Sequence, residues 1–266
     1  MWTHLLFLLF VALAVYAQNV TGFALALILL GLVGATDLVP LTDAVNAVTV
    51  LAAVNAATFL YRRRPLRLEL SVWPAAAASV LGVVAGTVLL TWLAGTAYEA
   101  LRLLLGLSIV LCALLLWRAT APLEAVSSRS TFALAGTAAG LVGGTFSAPG
   151  PPLVYLLYRQ PLSHARVRES LILLFGTGEL LRLAPVVPAG QFSARAVQLA
   201  AEAVPVVVAV MSFAARRPPP LPPGLLKAAV CLLLIATGTG MMGAAYRHWG
   251  GRLAAERAGS RSGGPS

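Results

Sequence analysis

The chain has 266 residues, 59% of them hydrophobic and 11% charged, with a mean hydropathy of +0.87 and a net charge of +10. Soluble domains carry about 25% charged residues, so this composition excludes a water-soluble globular protein and indicates a polytopic membrane protein. The basic excess is first a topology signal, because Lys and Arg gather in cytoplasmic loops; with no folded basic face to present, nucleic acid is not an expected partner.

Leu5 to Gly34 is one nearly unbroken apolar stretch. As a single helix its 30 residues would span about 45 Å, against a hydrocarbon core of about 30 Å, so it must tilt, break or fold back. Gln18-Asn19-Val20-Thr21-Gly22-Phe23 marks the expected break. Val15-Tyr16-Ala17 resembles a peptidase site, but no Lys or Arg precedes the run, which argues for a retained helix. A second helix is expected over Thr42–Leu60, with Asn46 and Thr49 on one mildly polar stripe and Asn55 on another side. Arg62, Arg63, Arg64 and Arg67 follow as the densest basic loop. The third helix, Ser71–Leu93, has Trp73 and Trp92 at interfacial depth. Its Gly82-xxx-Gly86 predicts close helix packing. The fourth, Tyr98–Trp117, opens with Glu99 and Arg102, one turn apart and expected to pair. Ala119–Ser130 is a polar linker. After a broken fifth region come a sixth helix capped by Ser163 and running to Leu183, a seventh over Ala194–Ala215 and an eighth over Leu225–Tyr246. Arg216, Arg217 and Pro218, Pro219, Pro220, Pro222 and Pro223 form a stiff connection between the last two. From Arg247 onward the chain is basic and rich in Gly and Ser, a composition expected to be disordered.

The fifth region contains the most informative stretch, Gly140–Pro152, reading GLVGGTFSAPGPP. Proline and glycine break a helix, and a freed backbone group in hydrocarbon has no water to bond. Broken backbone at membrane depth is tolerated where protein or a wet cavity surrounds it, and in transporters such breaks build the substrate site. Ala139–Leu153 is therefore read as a discontinuous helix. The two halves of the chain are also similar. Ala17–Phe23 falls opposite Ala139–Thr145, Leu41–Ala44 opposite Leu162–Ala165, and Cys112 opposite Cys231. The expected organisation is all-α, with about eight transmembrane segments in two four-segment halves: residues 1–118, a linker at 119–130, residues 131–246 and a tail at 247–266. Four crossings per half make the repeats parallel, and a re-entrant segment in each makes them inverted. Counting positive charges over eight crossings puts both termini in the cytoplasm. In that count Arg159, Arg166, Arg168, Arg216, Arg217 and Lys227 lie outside.

The order of these motifs resembles the sulfite exporter TauE/SafE family. The resemblance is carried by Gln18–Phe23, the Tyr61–Arg64 loop, Gly82-xxx-Gly86 and Gly136–Pro152, and it covers roughly residues 5 to 246. It implies a cell-membrane permease that exports or takes up sulfite, sulfonates or similar small organosulfur anions. The first half departs from the pattern in having Ala24–Leu32 where many members carry a glycine-proline cluster.

At the breaks, helix N-termini would present N–H groups and a partial positive dipole to an anion. The candidate substrate residues are Gln18, Asn19, Thr21 and Gly22 in the first half and Gly143, Gly144, Thr145, Ser147 and Gly150 in the second. Glu202, midway along the seventh helix, is the candidate proton-coupling group, because an intramembrane carboxylate is costly and functional by default. Arg168 is the candidate anion-attracting cation. Glu179 and Arg182, three apart, are expected to pair structurally. No cofactor is expected and no metal site, since His4, His164 and His248 are far apart in sequence. Nor is an enzyme: Gly144–Gly150 is not GxSxG, and no histidine lies at membrane depth to act as base. The expected partners are a small anion and the lipid bilayer, with a homo-oligomer as a further option. The rival readings are a non-transporting membrane scaffold and a permease for another small solute.

Overall fold

Short polar breaks and prolines cut the apolar chain into helices. The computed structural model describes residues 2–62, 72–118, 123–148, 150–188, 190, 192–216 and 223–262. The described residues form α1 (Trp2–Thr21), α2 (Ala24–Thr36), α3 (Leu41–Arg62), α4 (Trp73–Thr96), α5 (Tyr98–Arg118), α6 (Arg129–Phe146), α7 (Pro151–Arg159), α8 (His164–Val186), α9 (Ala194–Arg216) and α10 (Pro223–Ser262), with no strand among them. By length and composition α1, α3, α4, α5, α9 and the Lys227–Arg247 part of α10 can cross a bilayer. The helix α8 is as long, but it carries Arg166, Arg168, Glu169, Glu179 and Arg182. The expected all-helical membrane architecture is present. The basic run Arg63–Arg67, Pro149, the first residues of the 119–130 linker, and Arg217 with the prolines at 218–220 and 222 lie outside the described residues.

Each break has a local cause. Gly22 (φ +90°) ends α1, its N–H on the Gln18 carbonyl at 2.6 Å. Asp37 (φ +52°) ends α2 and Ser147 (φ +53°) ends α6. Few non-glycine residues adopt this left-handed conformation. Ser128 and Ser163 cap α6 and α8 by accepting N–H bonds from Thr131 and Arg166. Pro151 and Pro152 open α7, where a missing N–H costs nothing.

Contacts fix the helix directions. Thr49 and Asn46 of α3 meet Arg182 of α8, while Phe59 meets Arg168, so α3 and α8 are antiparallel. Asp43 bonds Ser193 and Arg62 bonds Ser212, so α3 and α9 are parallel. Glycines 136, 140 and 144 of α6 lie on Ala75, Ser79 and Val83 of α4, so these two run parallel. Gly31 and Gly34 of α2 follow Thr237 and Met241 of α10, again parallel. One end of the bundle, the terminal face, then holds the start of α1, the 37–41 turn, the α4–α5 junction and the α8–α9 connection. The other holds the ends of α3, α5, α7 and α9 and is here called the arginine face.

The two broken segments are hairpins, not bent crossings. From Ser128 on the arginine face α6 descends to Ser147, and α7 climbs back to Arg159 and Gln160. There the Arg159 carbonyl accepts from Leu123 N–H (2.6 Å) and the Gln160 side chain bonds Ser127. In the opposite sense α1 rises from the terminal side to Gly22, which lies against Arg168, and α2 returns to Asp37 beside Arg102. Eight full crossings therefore do not describe these two segments. Arg159, Arg166 and Arg216, expected opposite Arg62, Arg118 and Arg129, share a face with them because α6–α7 returns to its starting side. Beyond Tyr246 the backbone of α10 continues as helix to Ser262, where composition predicted irregular chain.

Candidate functional site

The α6–α7 turn sits deep in the protein, and α8 presents charge to it. Positions 168, 175 and 182 fall seven apart and share one helix face, which points inward. Glu179 and Arg182 on that side are 2% and 1% exposed, and Arg182 is the largest fully buried side chain among the described residues. Its guanidinium donates from Nε to the Gly144 carbonyl (3.0 Å), from Nη1 to Thr49 Oγ1, and from Nη2 to Asn46 Oδ1 (3.2 Å). Ser147 Oγ donates to Glu179 Oε2 and lies 2.9 Å from Thr49 Oγ1. Glu179 and Arg182 thus connect through two hydroxyls belonging to α3 and the turn, not through a direct salt bridge. Three of the five guanidinium N–H groups are engaged, all by neutral acceptors, and two remain. The result is a buried, rigidly held cation edged with hydroxyls. Ser147 is also buried, at 1% exposure.

The α1–α2 turn is built otherwise. Gln18 Oε1 accepts the Leu25 N–H across the break (3.1 Å) and Thr21 Oγ1 bonds back to Ala17 (2.8 Å). The Asn19 amide donates to Val15 (3.0 Å). These polar side chains satisfy the broken backbone, as hydrocarbon requires. The turn's own carbonyls look outward: Asn19 O accepts from Arg168 Nη1 (2.9 Å) and Thr21 O from Tyr158 (2.8 Å). Arg168 also lies over the Phe59 ring at 5.3 Å. Fourteen residues of helix separate Arg168 from Arg182, roughly 21 Å along α8, so each turn meets its own arginine.

Residues 6–241 match the sulfite exporter TauE/SafE family. A relative named "Probable sulfite/organosulfonate exporter TauE", from Cupriavidus necator, is 34% identical over 238 residues, covering 88% of this chain and 91% of its own length. The chain belongs to the sulfite exporter TauE/SafE family. No solved structure matches it. Membership makes it a membrane transport protein and not an enzyme.

Within this TauE/SafE chain the anticipated residues take several places. Ser147 lies at the centre of the polar cluster, with Gly144 giving its carbonyl and Gly143 accepting the Ser147 N–H at 2.7 Å. Thr145 turns away, donating to Leu141 (2.8 Å) and Gly86 (3.1 Å) in the α4–α6 seam. Gly144 is small for that same seam: a Cβ on it would stand 2.2 Å from the Val83 carbonyl. Gly150 caps α7 beside Leu27 of α2. Because Pro151 and Pro152 lack N–H groups, the α7 terminus offers fewer backbone donors than the dipole argument supposed, and side chains of α3 and α8 supply the donors. Gln18, Asn19, Thr21 and Gly22 cluster at the other turn. Glu202 lies on the outer α1–α9 seam, bonded to His4 (2.6 Å) and Gln198 (2.8 Å) and one-third exposed, away from both turns. Arg102, expected to pair with Glu99, has Asp37 as its nearer partner, with Glu99 at 4.0 Å.

The candidate substrate residues do not include Thr49, Asn46, Glu179 or Arg182. The signal available was the polar stripe on α3, together with two opposite charges inside an apolar segment. Their spacing of three suggested an ordinary pair on one helix surface.

Proposed function

We propose that this protein is a secondary carrier for sulfite and small organosulfonates, binding the anion at the α6–α7 turn. The observation that carries this is the buried Arg182 guanidinium, with free N–H capacity and with Ser147 and Thr49 hydroxyls at its edge. A sulfite or sulfonate group has three oxygens on one centre. A planar guanidinium meets two of them in parallel, and a hydroxyl can meet the third. The printed name of the Cupriavidus necator relative supports the substrate class.

The same reading treats the halves as inverted repeats, each a hairpin followed by three traversing helices: α1–α2 with α3, α4 and α5, and α6–α7 with α8, α9 and α10. The opposite entry of the two hairpins supports it, as does the matching packing of α4 on α6 and of α1 on α9. Inverted repeats give a carrier two equivalent end states around a midplane site. The closed cluster is the occluded state between them. The arginine face is oriented toward the cytoplasm.

The test is counterflow of labelled sulfite in liposomes bearing the purified protein, with sulfate, taurine and sulfoacetate as competitors. Saturable exchange inhibited by an organosulfonate is expected. Well-folded protein that exchanges none of these would overturn the reading in favour of another solute or a scaffold.

A further inference from the structure

We propose that Glu179 carries a proton that travels with the substrate anion: ionised when the site is empty, protonated when the anion sits on Arg182. This rests on the carrier reading above. The argument starts from the direction of the hydroxyl relay. Arg182 Nη1 donates to Thr49 Oγ1, Thr49 Oγ1 contacts Ser147 Oγ, and Ser147 Oγ donates to the Glu179 carboxylate. A serine hydroxyl has one proton to give. While Glu179 is ionised, that proton is committed to it, and Ser147 has nothing left for a ligand. A protonated Glu179 donates instead, Ser147 accepts, and the serine O–H turns free toward the guanidinium side. Protonation therefore creates a donor for the anion at the atom where the anion needs one.

Charge leads to the same pairing. One guanidinium here faces one carboxylate, and a second anion a few Å from an ionised carboxylate is repelled strongly in a low-dielectric interior. Among the described residues no other charge stands close enough to compensate. On α3 the facing groups are Asn46 and Thr49, with Asp43 bonded to Ser193 and Arg62 at the far end bonded to Ser212. The helix α4 has no titratable residue, α6 has Arg129 at its distant start, and the α7 arginine and tyrosines lie toward the arginine face. On α8 itself Arg168 and Glu169 are more than two turns from Glu179. Arg182 is balanced either by Glu179 or by the substrate. The proton enters from the water on the side where the anion binds, and it leaves to water on the side where the anion is released. A monoanion then moves with one proton and no net charge.

The test uses full-length protein in liposomes with a trapped pH dye and labelled isethionate. This sulfonate stays a monoanion across the working range, so it carries no proton of its own. Wild-type protein is expected to acidify the lumen by one proton per isethionate taken up, with a rate unaffected by a valinomycin–potassium potential. Its KM for isethionate should rise about tenfold per pH unit on the alkaline side. Glu179→Gln mimics the protonated form and cannot exchange that proton, so any isethionate uptake it supports should carry no proton signal and show a flat KM against pH. Net isethionate uptake by wild-type protein without lumenal acidification would overturn this proposal and leave the carrier reading standing. Absence of wild-type counterflow would overturn both. The wild-type proton count decides the matter even where the variant does not fold.

Discussion

At the residue scale, Arg182 works by geometry as much as by charge. It reaches three acceptors on two segments, the Gly144 carbonyl of α6 and the Thr49 and Asn46 side chains of α3. A lysine keeps the charge but has no fork to span them. Hydrogen bonds to charged groups contribute about 1.5–3 kcal/mol each, so Arg182→Lys should raise the KM for sulfite counterflow roughly tenfold or more. Ser147 separates backbone from hydroxyl. Its φ of +53° is costly for a residue with a Cβ, and glycine relieves that by about 1 kcal/mol. Both Ser147→Gly and Ser147→Ala lose the bond to Glu179, but only glycine relieves the backbone, so Ser147→Gly should melt at a higher temperature in detergent than Ser147→Ala, yet lose counterflow as completely. Equal transport in Ser147→Gly and wild type would mean that the turn needs a shape and not a hydroxyl. Glu202 provides the contrast. It bonds His4 on an outer seam, so Glu202→Gln should leave the proton count per anion unchanged in the dye assay.

At the element scale, the seam between α4 and α6 holds the α6–α7 hairpin in place. Glycines 82 and 86 of α4 and 136, 140 and 144 of α6 let the two backbones touch; a Cβ at Gly140 would stand 2.3 Å from the Ser79 carbonyl. Backbone cannot swing aside as a side chain can, so Gly140→Ala should cost about 1–3 kcal/mol and lower the melting temperature and the monodisperse yield in detergent. Gly178→Ala on α8, where nothing stands within 4 Å, should melt like wild type. This seam was legible from Gly82-xxx-Gly86, because small residues at that spacing have one main use in a membrane. The breaks were legible too, since Gly22 and the Gly140–Pro152 cluster cannot sit in plain membrane helix. What sequence left open was whether the chain passes through each break or doubles back. A bent helix and a hairpin use the same residues, and only distant contacts such as Leu123 on Arg159 separate them. The pairing of Glu179 with Arg182 was legible from their helical spacing, but not that Ser147 and Thr49 come from elsewhere in the chain to stand between them.

At the scale of the whole molecule, the hairpins decide the orientation. A segment that returns to its own side does not flip the sides of the loops that follow. With two such segments, Arg62, Arg118, Arg129, Arg159, Arg166 and Arg216 all belong to helix ends on one face. The opposite face has Asp37, Asp43 and Glu99, with Arg102 held by Asp37 and with Arg195 and the α10 tail as its basic residues. Short loops rich in Lys and Arg stay in the cytoplasm, so the proposed orientation puts the arginine face inside and both ends of the chain outside, the reverse of what eight crossings imply. Two single cysteines distinguish the orientations, because Cys112 and Cys231 are buried. Val187 is 57% exposed on the terminal face, and Val187→Cys should react with a membrane-impermeant maleimide in intact spheroplasts. Ala125 is exposed beside α6 on the arginine face, and Ala125→Cys should react only after the membrane is opened. The opposite labelling pattern would put the arginine face outside.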